Sequence, residues 1–331
     1  MSYQIESKFV IAVASSALFD LTESDRVFRE KGEEEYRQYQ RKHERAILEK
    51  GVAFPLIQRI LSINTEEDQP VEVVLLSRND PDTGLRVFKS IEKYGLPITR
   101  AVFVAGRNPF AYMNAFNASL FLSGNPDDVK EAIEHGYPAG CIYPSEYIDD
   151  LDDQELRLAF DFDGVIADDS AETIYQTEGT LQSFHQHEKE KALELIPAGP
   201  LFSFFSELSR LQKRELEKHK EDEQYKPKIR IAICTARNAP AHERVITTLR
   251  KHDIRVDEAF FMGGVEKSRV LSIFKPHIFF DDQASHIQGV ARLFPSVHVP
   301  FGVTNRPKPT SGDPEVAVPG ADGEPALSRS R

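Results

Sequence analysis

The chain has 331 residues, with 41 Lys and Arg against 53 Asp and Glu and a formal net charge of −12. That length allows two ordinary domains, each with its own core. The acidity argues against a nucleic-acid polymer as the main partner, because a phosphate backbone calls for a basic stripe; a small anionic substrate is still allowed, since a metal ion and a lysine can make one site locally positive.

The first apolar run, Phe9 to Phe19 after Lys8, imitates the hydrophobic part of a signal peptide, but reads better as a core strand and its turn. No stretch approaches the ~20 apolar residues that span a bilayer. With only Cys141 and Cys234, too few for a disulfide framework, the chain is expected to be soluble and cytoplasmic, with no membrane partner. Cys234, inside an apolar strand, reads as a small buried hydrophobe. Asp25 to Lys50 is charged and helix-favouring. Apolar strands follow at Val73–Asn79, Ala101–Gly106 and Leu120–Ser123, with a helix across Ile91–Leu96.

In the second half, Leu158-Ala159-Phe160 leads into Asp161-Phe162-Asp163-Gly164. Two carboxylates one residue apart, at a strand end and before a glycine turn, can face one phosphate together. Residues 185–226 are again charged and helix-favouring; within them His185 and His187 read as a solvated face, and Phe202, Phe204 and Phe205 as core. A β-rich run, Ile229–Thr235, ends in a hydroxyl and continues as Ala236-Arg237. Lys267 follows the Gly263-Gly264 turn, and the strand Ile278–Phe280 ends in Asp281-Asp282. From Thr304 to Arg331 the chain is rich in Pro, Gly, Ser and Asp and reads as a disordered tail.

The halves repeat each other. Residues 101–133 align onto 259–291 without a gap, Val73–Asn79 onto Ala232–Asn238, and Ala12–Asp20 onto Phe160–Asp168. In that alignment Val13, Ser15, Leu76, Pro109, Ser123 and Gly124 stand where the second half has Asp161, Asp163, Thr235, Lys267, Asp281 and Asp282. The expectation is an α/β protein with a silent domain at 1–150 and a live one at 151–303, joined near 145–157.

Strand–Asp-x-Asp, strand–Thr, Lys and strand–Asp-Asp, in that order, resemble the haloacid dehalogenase superfamily of aspartyl phosphotransferases. The segments 161–172, 199–201 and 276–283 narrow the resemblance to the cytosolic type I 5′-nucleotidase family. It implies tandem Rossmann-like domains, with a small helical cap inserted around 169–198, and magnesium-dependent hydrolysis of nucleoside 5′-monophosphates such as AMP or IMP. Asp161 is then the nucleophile and Asp163 the acid and base. The metal ligands are Asp161, the carbonyl of Asp163, and Asp281 or Asp282; Thr235, Ala236, Arg237 and Lys267 hold the phosphate. Asp168, Asp169, Ser170 and Glu172 are expected to cap a helix or orient the cap. Another phosphomonoesterase, a nucleoside phosphotransferase and a nucleotide-binding regulator without turnover are the rival readings. An effector nucleotide in the silent half and a homo-oligomer are left open.

Overall fold

The computed structural model describes residues 3–150, 152–170 and 181–305. In chain order the elements are β1 (Phe9–Val13), α1 (Ser15–Leu18), α2 (Thr22–Lys31), α3 (Glu33–Lys42), α4 (Phe54–Leu61), β2 (Val71–Ser77), α5 (Leu85–Lys93), β3 (Arg100–Phe103), β4 (Leu120–Ser123), α6 (Pro126–Glu134) and β5 (Ala139–Ile142). The second half continues with β6 (Leu156–Phe160), α7 (Leu181–Glu190), α8 (Phe202–Glu221), β7 (Ile229–Thr235), α9 (His242–Lys251), β8 (Glu258–Phe261), α10 (Lys267–Phe274), β9 (Ile278–Asp281), α11 (Ala284–Val290) and β10 (Ser296–His298).

Among the described residues the ten strands form one sheet, in the order β3-β2-β1-β4-β5-β10-β9-β6-β7-β8. Every pairing is parallel except β5 with β10, where Cys141 faces His298 and Ile142 faces Val297. Central strands such as β1 and β2 are buried along their whole length, which explains their unbroken apolar runs: helices cover both faces of a parallel sheet. The mixed α/β architecture fits the Rossmann-like fold of the haloacid dehalogenase superfamily. One apolar cluster runs through both halves, and Phe204 of α8 stacks on Phe9 of β1 at 5.7 Å. Among the described residues no helix is long and apolar enough to cross a membrane.

Read from either outer edge, each half has its strands in the order third, second, first, fourth, fifth. The backbone contacts correspond as well, and they correct the register read from the sequence. Ala14 N–H donates to Leu122 O at 2.8 Å, as Asp161 N–H donates to Phe280 O at 2.8 Å. Ala14, and not Val13, therefore holds the place of Asp161. Likewise Val104 N–H meets Ser77 O as Met262 N–H meets Thr235 O, so the counterpart of Thr235 is Ser77 rather than Leu76. Apolar strands tolerate a one-residue slip in a sequence alignment, whereas hydrogen bonds do not.

A second correspondence was not visible in the repeat alignment. Gly51 donates to Leu18 O as Gly199 donates to Ile166 O, and each is packed so tightly that a Cβ would overlap backbone, at 2.7 Å from Ala17 O and 2.3 Å from Ala167 O respectively. Gly51-Val52-Ala53-Phe54 and Gly199-Pro200-Leu201-Phe202 thus close the same turn.

At the amino ends of β6 and β9, away from the carboxylates, the ladder extends into a side chain: His277 N–H donates to Arg157 O at 2.8 Å and Arg157 N–H donates to His277 Nδ1 at 2.9 Å. Burial, then the Arg59 and Arg157 charges, push the imidazole down to about 3, against the opposing pull of Asp153. The unfolded chain binds a proton below the ordinary histidine value that the folded chain refuses until about pH 3. This contribution to stability is therefore complete above about pH 6.5 and is lost as the pH falls toward 3. In His277→Asn, where an amide oxygen can take the Arg157 N–H, the slope of unfolding free energy against pH should flatten by up to about 1.4 kcal/mol per unit on the acid side of neutrality. Urea titrations measure it, and equal slopes in both proteins would contradict it.

Candidate active site

The two acidic segments meet because β6 and β9 are neighbours with their carboxyl ends on the same side, at the point where the strand order of this half reverses. Asp161 leaves β6 buried, 4% exposed, and its Oδ1 accepts the Phe162 N–H at 2.7 Å. Gly164, at φ +73°, turns the chain past Asp282; a Cβ there would lie 2.6 Å from the Asp282 carboxyl carbon, so only glycine fits.

Lys267, the first residue of α10, places its Nζ 2.6 Å from Asp161 Oδ2 and 2.6 Å from Asp281 Oδ2. Burial works against its charge, but the two carboxylates outweigh it and hold its pKa above the ordinary lysine value. Asp161 is pushed up to about 6 by burial, with Lys267 opposing and Asp281 and Asp163 adding. Burial works on Asp281 too, yet the Lys267 ammonium and then His286 bring it below the usual range. Asp281 is fully engaged: besides Lys267 it accepts the Gln283 N–H at 2.8 Å and lies 3.2 Å from His286 Nδ1. Asp282 differs. Its Oδ2 accepts from Thr304 at 3.0 Å, while its Oδ1 is buried with no partner. Burial, followed by the charges of Asp161 and Asp281, pushes it up to about 9.

Asp163 is gripped from the other side. Arg237 donates Nε to its Oδ2 and Nη2 to its Oδ1, both at 2.8 Å, in the two-pronged geometry that suits guanidinium and carboxylate. The other amino group of Arg237 is paired with Glu188. Thr235 is buried and its hydroxyl accepts the Arg237 N–H at 3.2 Å. Ala236 lies on the wall of a cavity of about 380 Å³ together with Lys267, Ser268 and His286.

Of the residues read from the sequence, Asp161, Asp281 and Lys267 are thus in direct contact, with Asp282 behind the Gly164 turn and Asp163 held beside them. The Arg237 side chain is engaged by Asp163 and Glu188. His185, expected on a solvated face, contacts Asn238 Oδ1 at 2.8 Å. Asp168 accepts from both N–H and hydroxyl of Ser170 at 3.2 and 2.7 Å, as a cap would, and Asp169 accepts the Val303 N–H at 2.7 Å. Glu172, the central part of the expected cap, and the chain from Arg306 onward lie outside the described residues. The tail expected from Thr304 starts too early: Thr304 reaches Asp282, and Asn305 donates to the Asp282 carbonyl at 2.9 Å.

Three groups escaped the sequence reading. His286 offers a ligand atom which, with one each from Asp161 and Asp281, falls within a 4.8 Å cluster; its place five residues after Asp281, on the inner face of the next helix, was the available signal. Glu188, in the run His187-Glu188-Lys189-Glu190, looked solvated yet its side chain is fully buried. Thr304 was hidden by the composition of the residues that follow it.

A family model described as 5′-nucleotidase matches residues 1–306. Human cytosolic 5′-nucleotidase 1B is 32% identical over 296 residues, covering 87% of this chain and 48% of the relative. The chain therefore spans about half the length of that curated relative. No solved structure matches.

Proposed function

The chain belongs to the 5′-nucleotidase family, and on that premise we propose that it hydrolyses nucleoside 5′-monophosphates in the cytoplasm through an aspartyl-phosphate on Asp161. The observation that carries this reading is the Lys267 ammonium, 2.6 Å from both Asp161 and Asp281 at the carboxyl edge of the sheet. It holds the nucleophile ionised in a place that would otherwise protonate it, and it stands ready to offset phosphate charge.

In the first step an Asp161 oxygen bonds to phosphorus, the P–O5′ bond breaks, and the proton that the leaving oxygen needs comes from Asp163. In the second, water attacks the same phosphorus, its proton passes to Asp163, and the Asp161–phosphorus bond breaks. Each step is a displacement at one phosphorus, so fixed positions do most of the work. The Thr235 hydroxyl and the backbone at Ala236 are suited to a phosphate oxygen, while Arg237 acts on Asp163.

The donor set fits a hard divalent cation, which prefers oxygen ligands. The orphaned Oδ1 of Asp282 is the specific sign, since a buried carboxylate oxygen without a partner is costly. Asp161, Asp282 and the Asp163 carbonyl would hold magnesium, with the unpartnered Asp282 Oδ1 rather than Asp281 supplying the ligand at the end of β9. When bound, the ion would neutralise charge between phosphate and carboxylates.

The expected outcome for Asp161→Asn is a folded protein with no turnover, and chelation should stop the unsubstituted protein. AMP or IMP should release phosphate well above a simple sugar phosphate. Phosphate release assays check all three; full activity in Asp161→Asn, or activity indifferent to chelator, contradicts the mechanism.

The matching strand orders, backbone contacts and glycine turns support the further reading that the two halves are copies, with α2 and α3 in the first half standing where the cap is inserted in the second. The first half keeps the skeleton without the charges. Ser77 repeats the Thr235 bond, accepting the Asn79 N–H at 3.2 Å, and Ser123 repeats that of Asp281, accepting the Asn125 N–H at 3.1 Å. Its crevice is a cavity of about 740 Å³ roofed by α2 and α3, with Phe28, Arg29, Tyr36, Arg78 and Asn79 in its wall, large enough for a nucleotide. Arg107 is not in that wall. Under this reading the crevice holds an effector nucleotide. Arg78→Ala should then abolish activation by added nucleotide while leaving unactivated turnover in place; activation that survives the change would remove the crevice from consideration.

A further inference from the structure

Asp163 is held by a chain of buried charges that leads to α7. Arg237 is 4% exposed, with its two prongs on Asp163 and its remaining amino group on Glu188. Glu188 is 1% exposed, and its second oxygen accepts from Arg244 of α9 at 2.8 Å. Arg244 in turn donates to the carbonyls of Glu194 and Leu195 at 3.2 and 3.3 Å, just beyond α7. Two carboxylates and two guanidiniums balance, which is how buried charge is tolerated.

The grip on Arg237 comes largely from one helix. Phe184 of α7 sits 5.6 Å from the guanidinium, Phe162 flanks it at 5.7 Å, and His185 of α7 meets the adjacent Asn238. Phe184, His185 and Glu188 share one side of α7, at the spacing of a helical turn. A guanidinium has a rigid planar fork, so fixing one amino group on Glu188, with Phe162 and Phe184 packed beside it, fixes the direction of the other two donors. The position of the Asp163 carboxylate therefore depends on Glu188, although Glu188 does not touch it.

We propose that Glu188 is a positioning residue for Asp163, acting through Arg237, so that seating α7 against the β7–α9 loop sets the acid–base group of the reaction. This rests on the aspartyl-phosphate reading above. Arg237 leaves each Asp163 oxygen a further lone pair for a water or a leaving oxygen, so the grip orients the group without blocking it. Glu188 also pairs with the buried Arg244 of α9, and that second contact separates a structural role from a positioning one in the test.

The test compares AMP with its 5′-thio analogue, in which sulfur replaces the bridging oxygen. A thiolate leaves without a proton, so forming the phosphoenzyme from the analogue does not need Asp163, whereas hydrolysing it still does. In Glu188→Gln, kcat for AMP should fall about tenfold or more with KM little changed. During turnover of the analogue, acid-quenched phosphoenzyme should reach at least the level of the unsubstituted protein while phosphate release slows. Glu188→Asp, which keeps the charge, should recover part of the rate. Arg244→Met, which touches Glu188 but not Arg237, should lower the melting temperature without this split between the two steps.

A merely structural role for Glu188 would lower phosphoenzyme and phosphate release together, in Glu188→Gln and Arg244→Met alike, and would overturn the proposal. AMP turnover unchanged in Glu188→Gln would do the same. Failure of the unsubstituted protein to form phosphoenzyme from either substrate would overturn the aspartyl-phosphate reading, and this inference with it.

Discussion

The arrangement depends on one buried ammonium. Asp161, Asp163, Asp281 and Asp282 converge at the carboxyl ends of two adjacent strands, and three of them are almost wholly buried. Carboxylates so placed repel each other and lose their hydration, and left alone they would take up protons. Lys267 sits between Asp161 and Asp281 and keeps that pair charged. Arg237 meets both oxygens of Asp163 from the opposite side. Of the four, Asp282 alone has an oxygen with no cation and no donor. The unequal treatment of four similar groups gives them different chemistry, through position rather than residue type.

That division was only partly legible in the sequence. Asp161, Asp163, Lys267 and the Asp281-Asp282 pair could be read because each stands at a strand end or a glycine turn, where chain direction alone decides what meets. Which carboxylate meets which cation could not be read, since it depends on side chains arriving from different elements. Arg237 looked like a phosphate ligand because it follows Thr235, yet the structure turns it toward Asp163 and Glu188. Glu188 was invisible for a related reason: a glutamate among lysines on a helix has the composition of a solvated face, and only the approach of α9 buries it.

The fold shows the same pattern. Apolar runs disclosed the strands and their parallel class, and the spacing between them pointed to the same strand order in each half. The register was one residue off near Ala14 and Ser77, because alternating apolar residues fit a neighbouring alignment nearly as well. The sequence also suggested two packed domains. Among the described residues the strands of both halves lie in one ten-stranded sheet, joined at its middle by the antiparallel pairing of β5 with β10. That pairing uses short strands of three and four residues, too brief to carry a recognisable pattern. One crevice is built on Asp161, Asp281 and Asp282, while the wall of the other mixes Arg29, Arg37 and Arg78 with Asp25, Asp80 and Asp127.

On the proposed mechanism Asp161 becomes covalently phosphorylated. Rapid acid quenching during turnover of AMP, followed by peptide mass spectrometry, tests it most directly. Phosphate is expected on the carboxylate of Asp161, formed and discharged at rates that sustain turnover. Phosphate released at full rate with Asp161 unmodified at every time point, or phosphate found on another residue, would contradict it.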